Sequence, residues 1–293
     1  MSRARVSPHA ARQLLRERGI RPRKKLGQNF LVDSNVARKI VRALSPGERD
    51  VFLEVGAGIG ALTRPLAESG ARTFAVEIDA RLIPLLESVV EGLENVRIIH
   101  GDILDVEIPE LLSEARSARL QVVGNLPYNI TTPVVLYIVK NKRYVERALV
   151  TVQWEYAERM LASPGSRLYG SMTVLVQFHC EIAQVMTVSP SCFYPEPDVG
   201  SMVLQLRPRQ KPAVQVKHEP TFELLVRAAF SHRRKTLSNS IAEGLGRSRT
   251  DITQLLRSAG VEGRRRAEQL GLEELGRIAD VLYDEGKPRE LET

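Results

Sequence analysis

Short apolar segments alternate with amphipathic segments over the first half of the chain, and this pattern predicts parallel strands joined by helices. Four buried strands are predicted, at residues 51–55, 72–79, 95–102 and 120–128. Each of them ends in a polar or glycine-rich cluster. Because ligands bind beyond the carboxyl ends of the strands in open α/β sheets, these clusters are expected to line one site.

Helical periodicity and proline or glycine stops place helices between and after these strands. The predicted helices are residues 61–70, 80–93, 109–116, 132–140 and 153–161, and a fifth strand is predicted at residues 147–152. No long helix separates the next apolar runs, which are therefore predicted to be closing strands. These runs are residues 171–181, 183–188 and 201–207.

A proline-containing linker at residues 207–212 precedes four segments with helical periodicity, which predict a small helical domain. The segments are residues 221–230, 234–245, 249–259 and 272–284. The predicted organisation is a basic N-terminal extension at residues 1–25, a ligand-binding domain at residues 26–208 and a helical domain at residues 209–293. Within the extension, residues 10–18 are either helical or part of a disordered tail.

The turn after the first strand carries three glycines, at Gly56, Gly58 and Gly60. Glycine lets the backbone turn sharply and approach a ligand closely. The GxGxG spacing differs from the GxGxxG of dinucleotide folds, so the motif alone leaves open a turn that binds nothing. Glu77 follows about 20 residues later, where an acidic residue receives ribose hydroxyls, and this favours a nucleoside ligand.

The charge of the chain indicates an anionic partner. Its 293 residues carry a net charge of +7, which favours nucleic acid over a membrane, although a basic surface that binds nothing is an alternative. Cys180 and Cys192 lie in no metal-ligand spacing, so no metal site is predicted, and reduced cysteines are expected in a cytoplasmic protein. The N-terminus is arginine-rich and lacks an apolar stretch, so no signal peptide is predicted. A long uncharged run, residues 121–139, contains glycine and prolines, so it is not predicted to span a membrane.

Five motifs together resemble those of the KsgA-type ribosomal RNA adenine dimethyltransferases. They are GQNFL at residues 27–31, EVGAGIG at 54–60, GNLPYNI at 124–130, FYPEPDVGS at 193–201 and SHRRKTLSNS at 231–240. Members of this family transfer methyl groups from S-adenosylmethionine (SAM) to two adjacent adenosines near the 3′ end of small-subunit rRNA. The resemblance implies a monomeric enzyme of small-subunit biogenesis that acts on a pre-ribosomal particle.

The resemblance also implies a fold and a cofactor site. The large domain is expected to be a class I methyltransferase, with a seven-stranded, mostly parallel sheet and a reversed last strand. Glu77 would bind the ribose diol of SAM, and Asp102 would accept a hydrogen bond from the adenine amine. The other cofactor residues that the resemblance implies are Gln28, Asn29, Leu31, Gly56, Gly58, Ile78, Ile103 and Asn125.

The NLPY segment at residues 125–128 is expected to carry the transfer step. An adenine amine is a poor nucleophile because its lone pair is delocalised into the ring, so the enzyme needs to orient the nitrogen. The side-chain oxygen of Asn125 and the carbonyl of Leu126 would accept its N–H groups. Pro127 biases Leu126 towards an extended conformation. Tyr128 would stack on the target base, with Phe193 on its other face.

Two basic clusters are expected to hold RNA phosphates. They comprise Arg23, Lys24 and Lys25 near the N-terminus and Arg233, Arg234 and Lys235 in the helical domain. Three alternatives remain: an Erm-like methylase of large-subunit rRNA, a non-catalytic RNA-binding assembly factor, and an NAD(P)-dependent oxidoreductase. The intact NLPY segment argues against the second, and the GxGxG spacing argues against the third.

Overall fold

The computed structural model describes residue 13 and residues 15–286 of the chain. Contacts divide these residues into two compact units. The first unit extends to Ala157 and resumes over Glu181–Pro208, and the second consists of Glu158–Cys180 and the chain from Arg209 onward. The predicted domain limits therefore stay a prediction, and the structure adds that residues 158–180 group with the C-terminal helices.

Part of the predicted basic extension lies outside the described residues, namely residues 1–12 and residue 14. The described part of the helix predicted at residues 10–18 is helical at residue 13 and residues 15–17. A short 3₁₀ turn follows at Lys24–Leu26.

The described residues form nine strands, seven of which belong to one sheet. The strands are β1 (Phe30–Leu31), β2 (Val51–Val55), β3 (Arg72–Glu77), β4 (Val96–His100), β5 (Leu120–Asn125), β6 (Val145–Gln153), β7 (Cys180–Val188), β8 (Phe193–Tyr194) and β9 (Ser201–Pro208). The sheet order is β4-β3-β2-β5-β6-β9-β7, and β1 pairs with β8 alone. Neighbours from β4 to β6 run parallel, whereas β9 is antiparallel to β6. The predicted seven-stranded, mostly parallel sheet with a reversed last strand is confirmed.

Helices connect the strands and form most of the second unit. They are α1 (Ser34–Leu44), α2 (Thr63–Ala67), α3 (Ile83–Val89), α4 (Ile108–Ala115), α5 (Thr131–Lys140), α6 (Trp154–Leu161), α7 (Ser171–His179), α8 (Glu219–Ala229), α9 (Leu237–Leu245), α10 (Arg249–Ser258) and α11 (Leu272–Gly286). All five residues of β2 are buried, as expected for a central parallel strand covered on both faces. The polar turns that follow the parallel strands therefore meet at one edge.

Residues 171–181 were predicted to be a strand, and this prediction is wrong for most of the segment. Ser171–His179 forms the helix α7, and the strand β7 begins only at Cys180. Val174 and Phe178 on this helix are fully buried in the core of the second unit. The β-branched and aromatic run favours a strand by local propensity, but burial on several faces of a helix requires the same apolar composition.

The second unit has its own hydrophobic core, to which α7 contributes. The rings of Phe178 and Phe222 are stacked, with centroids 4.1 Å apart and planes inclined by 19°. Both side chains are completely buried. The backbone reinforces this packing, because the N–H of Ala213 donates to the carbonyl of Phe178 at 2.9 Å.

The substitution Phe178→Ala is expected to destabilise the second unit by about 3–5 kcal/mol, because it removes a buried ring and leaves a cavity. Hydrogen–deuterium exchange should then accelerate in α8 and α9 and stay unchanged in β2 and β3. Leu224→Ala is the matched control, since Leu224 on α8 is 53% exposed. Unchanged exchange in α8 after Phe178→Ala would contradict the packing described here.

Candidate active site

A cleft of about 800 Å³ lies at the carboxyl ends of β2, β3, β4 and β5 and is open to solvent. The order of the strands reverses between β2 and β5, and a crevice forms at such a point because the connections leave in opposite directions. The cleft brings together all the predicted cofactor residues except Leu31: Gln28, Asn29, Gly56, Gly58, Glu77, Ile78, Asp102, Ile103 and Asn125.

The glycine turn after β2 is held by hydrogen bonds to β3. The amides of Gly56 and Ala57 both donate to the carbonyl of Val76 at 3.0 Å. The amide of Gly58 donates to Oε2 of Glu77 at 2.7 Å. Gly56 and Gly58 have φ values of 69° and 56°, a left-handed conformation that favours glycine. Because these three N–H groups are already bonded within the protein, they are not available to a diphosphate.

Glu77 places a buried carboxylate at the end of β3. Its Oε1 accepts the N–H of Asp79 at 2.8 Å, while Oε2 holds the glycine turn. Burial raises the pKa of Glu77, and the hydrogen bonds from the backbone of Asp79 and Gly58 oppose that rise. Each oxygen of a carboxylate can accept a second hydrogen bond, so Glu77 retains capacity for two hydroxyl donors from a ligand.

The neighbouring strand ends supply a carboxylate and two apolar side chains. Asp102 caps the short turn Ile103–Asp105 by accepting the N–H of Leu104 at 2.9 Å. Ile78 lines the cleft and is 48% exposed, so its apolar surface is accessible to a ligand. Apolar surface beside a hydrogen-bond acceptor suits a purine ring that carries an exocyclic amine.

Asn125 joins the end of β5 to the segment of residues 26–30. Its Nδ2 donates to the carbonyl of Asn29 at 2.7 Å. Since a carbonyl can only accept, this bond fixes which end of the Asn125 amide is the nitrogen and leaves Oδ1 to accept from a ligand. The N–H of Leu126 donates to the carbonyl of Thr151 at 3.0 Å, which holds the NLPY segment beside β6.

Leu126, Pro127 and Tyr128 all line the cleft beside Asn125. Tyr128 is half-buried. Burial raises the pKa of its hydroxyl, and the side chain of Ser201 at the start of β9 acts in the opposite direction.

Asp79 is a positioning residue that the sequence patterns did not reveal. Arg81 donates to both of its oxygens, at 2.9 and 2.6 Å, and holds the pKa of Asp79 well below its usual range. Nε2 of Gln28 donates to Asp79 at 3.0 Å, and Oε1 of Gln28 accepts the N–H of Arg23 at 2.8 Å. Gln28 thus lines the cleft with both ends of its amide bonded to the protein. The one signal for Asp79 in the sequence was an acidic residue two positions after Glu77. Its partner Gln28 is 51 positions away, so no local pattern connects the two residues.

Leu31 and Phe193, whose predicted contacts with the cofactor and the target base stay predictions, are not among the residues that line the cleft. They face each other in the β1–β8 ladder and are 3% and 1% exposed. Both pack in a core cluster with Ile40 and Val203 rather than in the cleft. Apolar motif residues can be required for packing, and a sequence alone does not separate that role from ligand contact.

The N-terminal basic cluster lies in the first unit. Arg23 is 3.7 Å from Asp79, and its side chain is 53% exposed. Lys24 and Lys25 are exposed and belong to the 3₁₀ turn before the cleft. The carbonyl of Lys25 accepts a hydrogen bond from Nδ2 of Asn129 at 3.3 Å, so this turn is tied to the end of the NLPYN segment.

The second basic cluster lies in the second unit, between α8 and α9. Arg233 donates to the carbonyl of Arg167 at 2.6 Å. Lys235 forms an ion pair with Glu243 and lowers the pKa of that carboxyl. Arg234 is exposed, and over residues 15–286 no ion pair of its side chain is found. The positive charges of the three side chains therefore differ in how accessible they are to a phosphate.

The described part of the chain contains neither a membrane-spanning helix nor a metal-binding cluster. No helix within it combines the length and apolar character that crossing a membrane requires. Nor do three or more His, Cys, Asp or Glu side chains gather there in a way that could hold a metal ion.

Comparison with known proteins decides the family. A family model described as ribosomal RNA adenine dimethylase matches residues 19–284 of the chain. The chain belongs to the ribosomal RNA adenine dimethylase family. Its relatives include the ribosomal RNA small subunit methyltransferase A of Moorella thermoacetica, 43% identical over 283 residues, with 94% of this chain and 98% of the relative covered. The protein of the same name from Pelotomaculum thermopropionicum is 42% identical over 289 residues, covering 96% and 98%.

Solved structures agree with membership of the ribosomal RNA adenine dimethylase family. A dimethyladenosine transferase from Plasmodium falciparum superimposes with a TM-score of 0.69 over 83% of this chain and 94% of the other; at 23% identity, this likeness shows the fold. The 23S rRNA methyltransferase ErmE is similar with a TM-score of 0.65 and 27% identity, covering 87% of this chain and 100% of the other.

Glu54 is a buried acid in β2, the strand that leads into the glycine turn. Burial raises the pKa of Glu54 to about 8, and the nearby charge of Glu77 adds to the rise. Glu54 is therefore mainly protonated at neutral pH in the folded protein. Its proton avoids a second buried negative charge beside Glu77.

The stability of the first unit should decline as the pH rises from about 4.5 to about 8, because the folded state keeps the proton of Glu54 that the unfolded state has lost. The decline contributed by this group is about 1.4 kcal/mol per pH unit and ends above the folded pKa. The substitution Glu54→Gln should remove it. Urea unfolding followed by the fluorescence of Trp154, the single tryptophan, reports on the first unit.

The matched control for that experiment is Glu91→Gln, which changes an exposed carboxyl group. It should leave the pH dependence of the wild type in place. If the free energy of unfolding changes with pH in the same way for the wild type and for Glu54→Gln, Glu54 does not hold a proton in the folded state.

Proposed function

We propose that the chain transfers methyl groups from SAM to the N6 amines of two adjacent adenosines near the 3′ end of small-subunit rRNA, and so acts in small-subunit biogenesis. The family match over residues 19–284 supports the adenine dimethylase reaction. Relatives named small subunit methyltransferase A, similar over nearly their whole length, support the substrate. The orientation of the Asn125 amide in the cleft is the observation that carries the mechanism. The predicted cytoplasmic location and monomeric state stay predictions.

The cleft fits SAM better than a dinucleotide. SAM combines a neutral adenosine with a sulfonium cation and has no diphosphate. The bonded amides of the glycine turn leave no place for a diphosphate, whereas the carboxylates of Glu77 and Asp102 favour a cation. We assign Glu77 to the ribose hydroxyls and Asp102 to the adenine amine. Ile78 and Ile103 would pack on the ring, and Gly56, Gly58 and Asn29 would border the methionine end.

SAM supplies an activated methyl group on its sulfonium when it is bound. The residues of this chain orient the amine that receives it. Oδ1 of Asn125 accepts one N–H of the amine and the Leu126 carbonyl accepts the other, which turns the nitrogen lone pair towards the methyl group. Tyr128 stacks on the adenine that has left its own stack. Such orientation supplies several kcal/mol, up to about 7–11 in ideal cases.

RNA phosphates would be held by the two basic clusters, Arg23, Lys24 and Lys25 in the first unit and Arg233, Arg234 and Lys235 in the second. Arg234 is the most suitable of the second cluster because its charge is not paired in the described residues. Contacts of this kind are independent of sequence, so the shape of the particle would select the target.

Labelled methyl transfer from SAM tests the proposed function. Immature small ribosomal subunits should be methylated, and mass analysis of the nucleosides should give N6,N6-dimethyladenosine at two adjacent positions. Naked large-subunit rRNA, the substrate named for ErmE, should remain unmodified. Transfer to the large-subunit RNA alone, or no transfer despite SAM binding, would reject the proposal.

The substitution Asn125→Ala should reduce single-turnover methyl transfer by about 10²–10³-fold, the usual loss when a preorganised acceptor is removed. SAM affinity should fall by less than about tenfold, or 1.4 kcal/mol. A monomethylated amine has a single N–H, so the residual product should be mostly monomethyladenosine. Asn35→Ala, which changes an exposed asparagine on α1, should behave as wild type. Wild-type transfer by Asn125→Ala would refute the orienting role.

A further inference from the structure

Trp154, the single tryptophan of the chain, lies where β6 ends and α6 begins. It is 38% exposed, although its ring is the largest apolar group that the chain could bury. Its backbone N–H donates to the carbonyl of Gly200 at 3.0 Å. The residue is therefore fixed between a helix start and the loop of residues 195–200, with part of its ring open to solvent.

The position of Trp154 relative to Asn125 follows from the register of the sheet. Asn125 faces Thr151 across the β5–β6 ladder. Trp154 is three positions beyond Thr151, so about 10 Å along the strand separates it from Asn125. The N–H of Leu126 donates to the carbonyl of Thr151 at 3.0 Å, so the segment that contains Tyr128 adjoins the end of β6. Trp154 therefore directly follows the end of β6, which adjoins Tyr128, the residue predicted to stack on the target base.

The cofactor cleft and Trp154 lie on different sides of Asn125. As far as the structure describes the cleft, its lining comes from the ends of β2 to β5 and from residues 26–30. The end of β6 lies on the other side of Asn125. An RNA strand that brings an amine to Asn125 from the β6 side would therefore meet the exposed side chain of Trp154.

We propose that Trp154 stacks on the nucleobase adjacent to the target adenosine, an inference that rests on the proposed function. Stacking of a base on an aromatic side chain contributes about 1–3 kcal/mol and tolerates any base. The exposed carboxylates of Glu155, Glu196 and Asp198 surround this position in the sequence. Negative charge repels phosphates, so the contact that we propose involves the uncharged base and no phosphate.

Trp154 would act as a positioning residue. By holding the neighbouring base, it would fix the direction in which the strand leaves the cleft and so place the next adenosine over Asn125. This role predicts a raised KM for the particle after its loss, with a smaller change in kcat. It predicts no change in SAM affinity, because the ring is on the opposite side of Asn125 from the cofactor cleft.

Steady-state methyl transfer to small ribosomal subunits provides the first test. Trp154→Ala should raise the KM for the particle by about 5- to 150-fold, the equivalent of the stacking energy. Trp154→Phe should recover most of this loss because a phenyl ring still stacks. Leu224→Ala, which removes another exposed apolar side chain, from α8, should match the wild type. An unchanged KM in Trp154→Ala would overturn the inference.

The fluorescence of wild-type Trp154 provides the second test, since no other tryptophan contributes to it. A single-stranded rRNA fragment with two adjacent adenosines should quench the emission, and an abasic site next to the target should abolish the quenching. Raised KM in Trp154→Ala without quenching by the fragment would mean that the ring contacts a protein of the particle, and would overturn base stacking. Failure of the wild type to methylate any particle would reject the proposed function, whereas quenching by RNA would still uphold the stacking.

Discussion

The reversal of strand order between β2 and β5 is the constraint on which the site depends. Both strands are central, parallel and buried, so their carboxyl ends are fixed side by side by the register of the sheet. The glycine turn follows β2 and the NLPY segment follows β5, and a cleft forms between them. The elements that would bind a cofactor and orient an amine are thereby adjacent before any ligand arrives.

A short segment of the chain joins the two sides of this cleft. Residues 26–30 are bonded to the β3 end through Gln28 and Asp79, and to the β5 end through Asn29 and Asn125. Arg81 keeps Asp79 ionised, which strengthens the first connection. The second connection orients the Asn125 amide, so the segment that closes the cofactor side also sets the acceptor for the target amine.

The parallel strands and most of the cleft could be predicted because their signals are local, whereas the seven-stranded sheet with its reversed last strand was implied by the resemblance to a family. Strand ends such as Glu77, Asp102 and Asn125 need only the knowledge that parallel strands end at one edge. Helix α7 was mistaken for a strand because its apolar composition comes from burial by distant helices. The pairing of Phe193 with Leu31 was not predicted for a related reason, since the two residues are remote in the sequence. Long-range packing decides such cases, and a local pattern does not contain it.

A crystal structure of the protein with SAM bound would test the central claim most directly. Its ribose hydroxyls should bond to Glu77 and its adenine amine to Asp102. Nδ2 of Asn125 should still donate to the Asn29 carbonyl, with Oδ1 facing the methyl group. An adenosine bound outside this cleft, or an Asn125 amide turned so that its nitrogen faces the methyl group, would contradict the account.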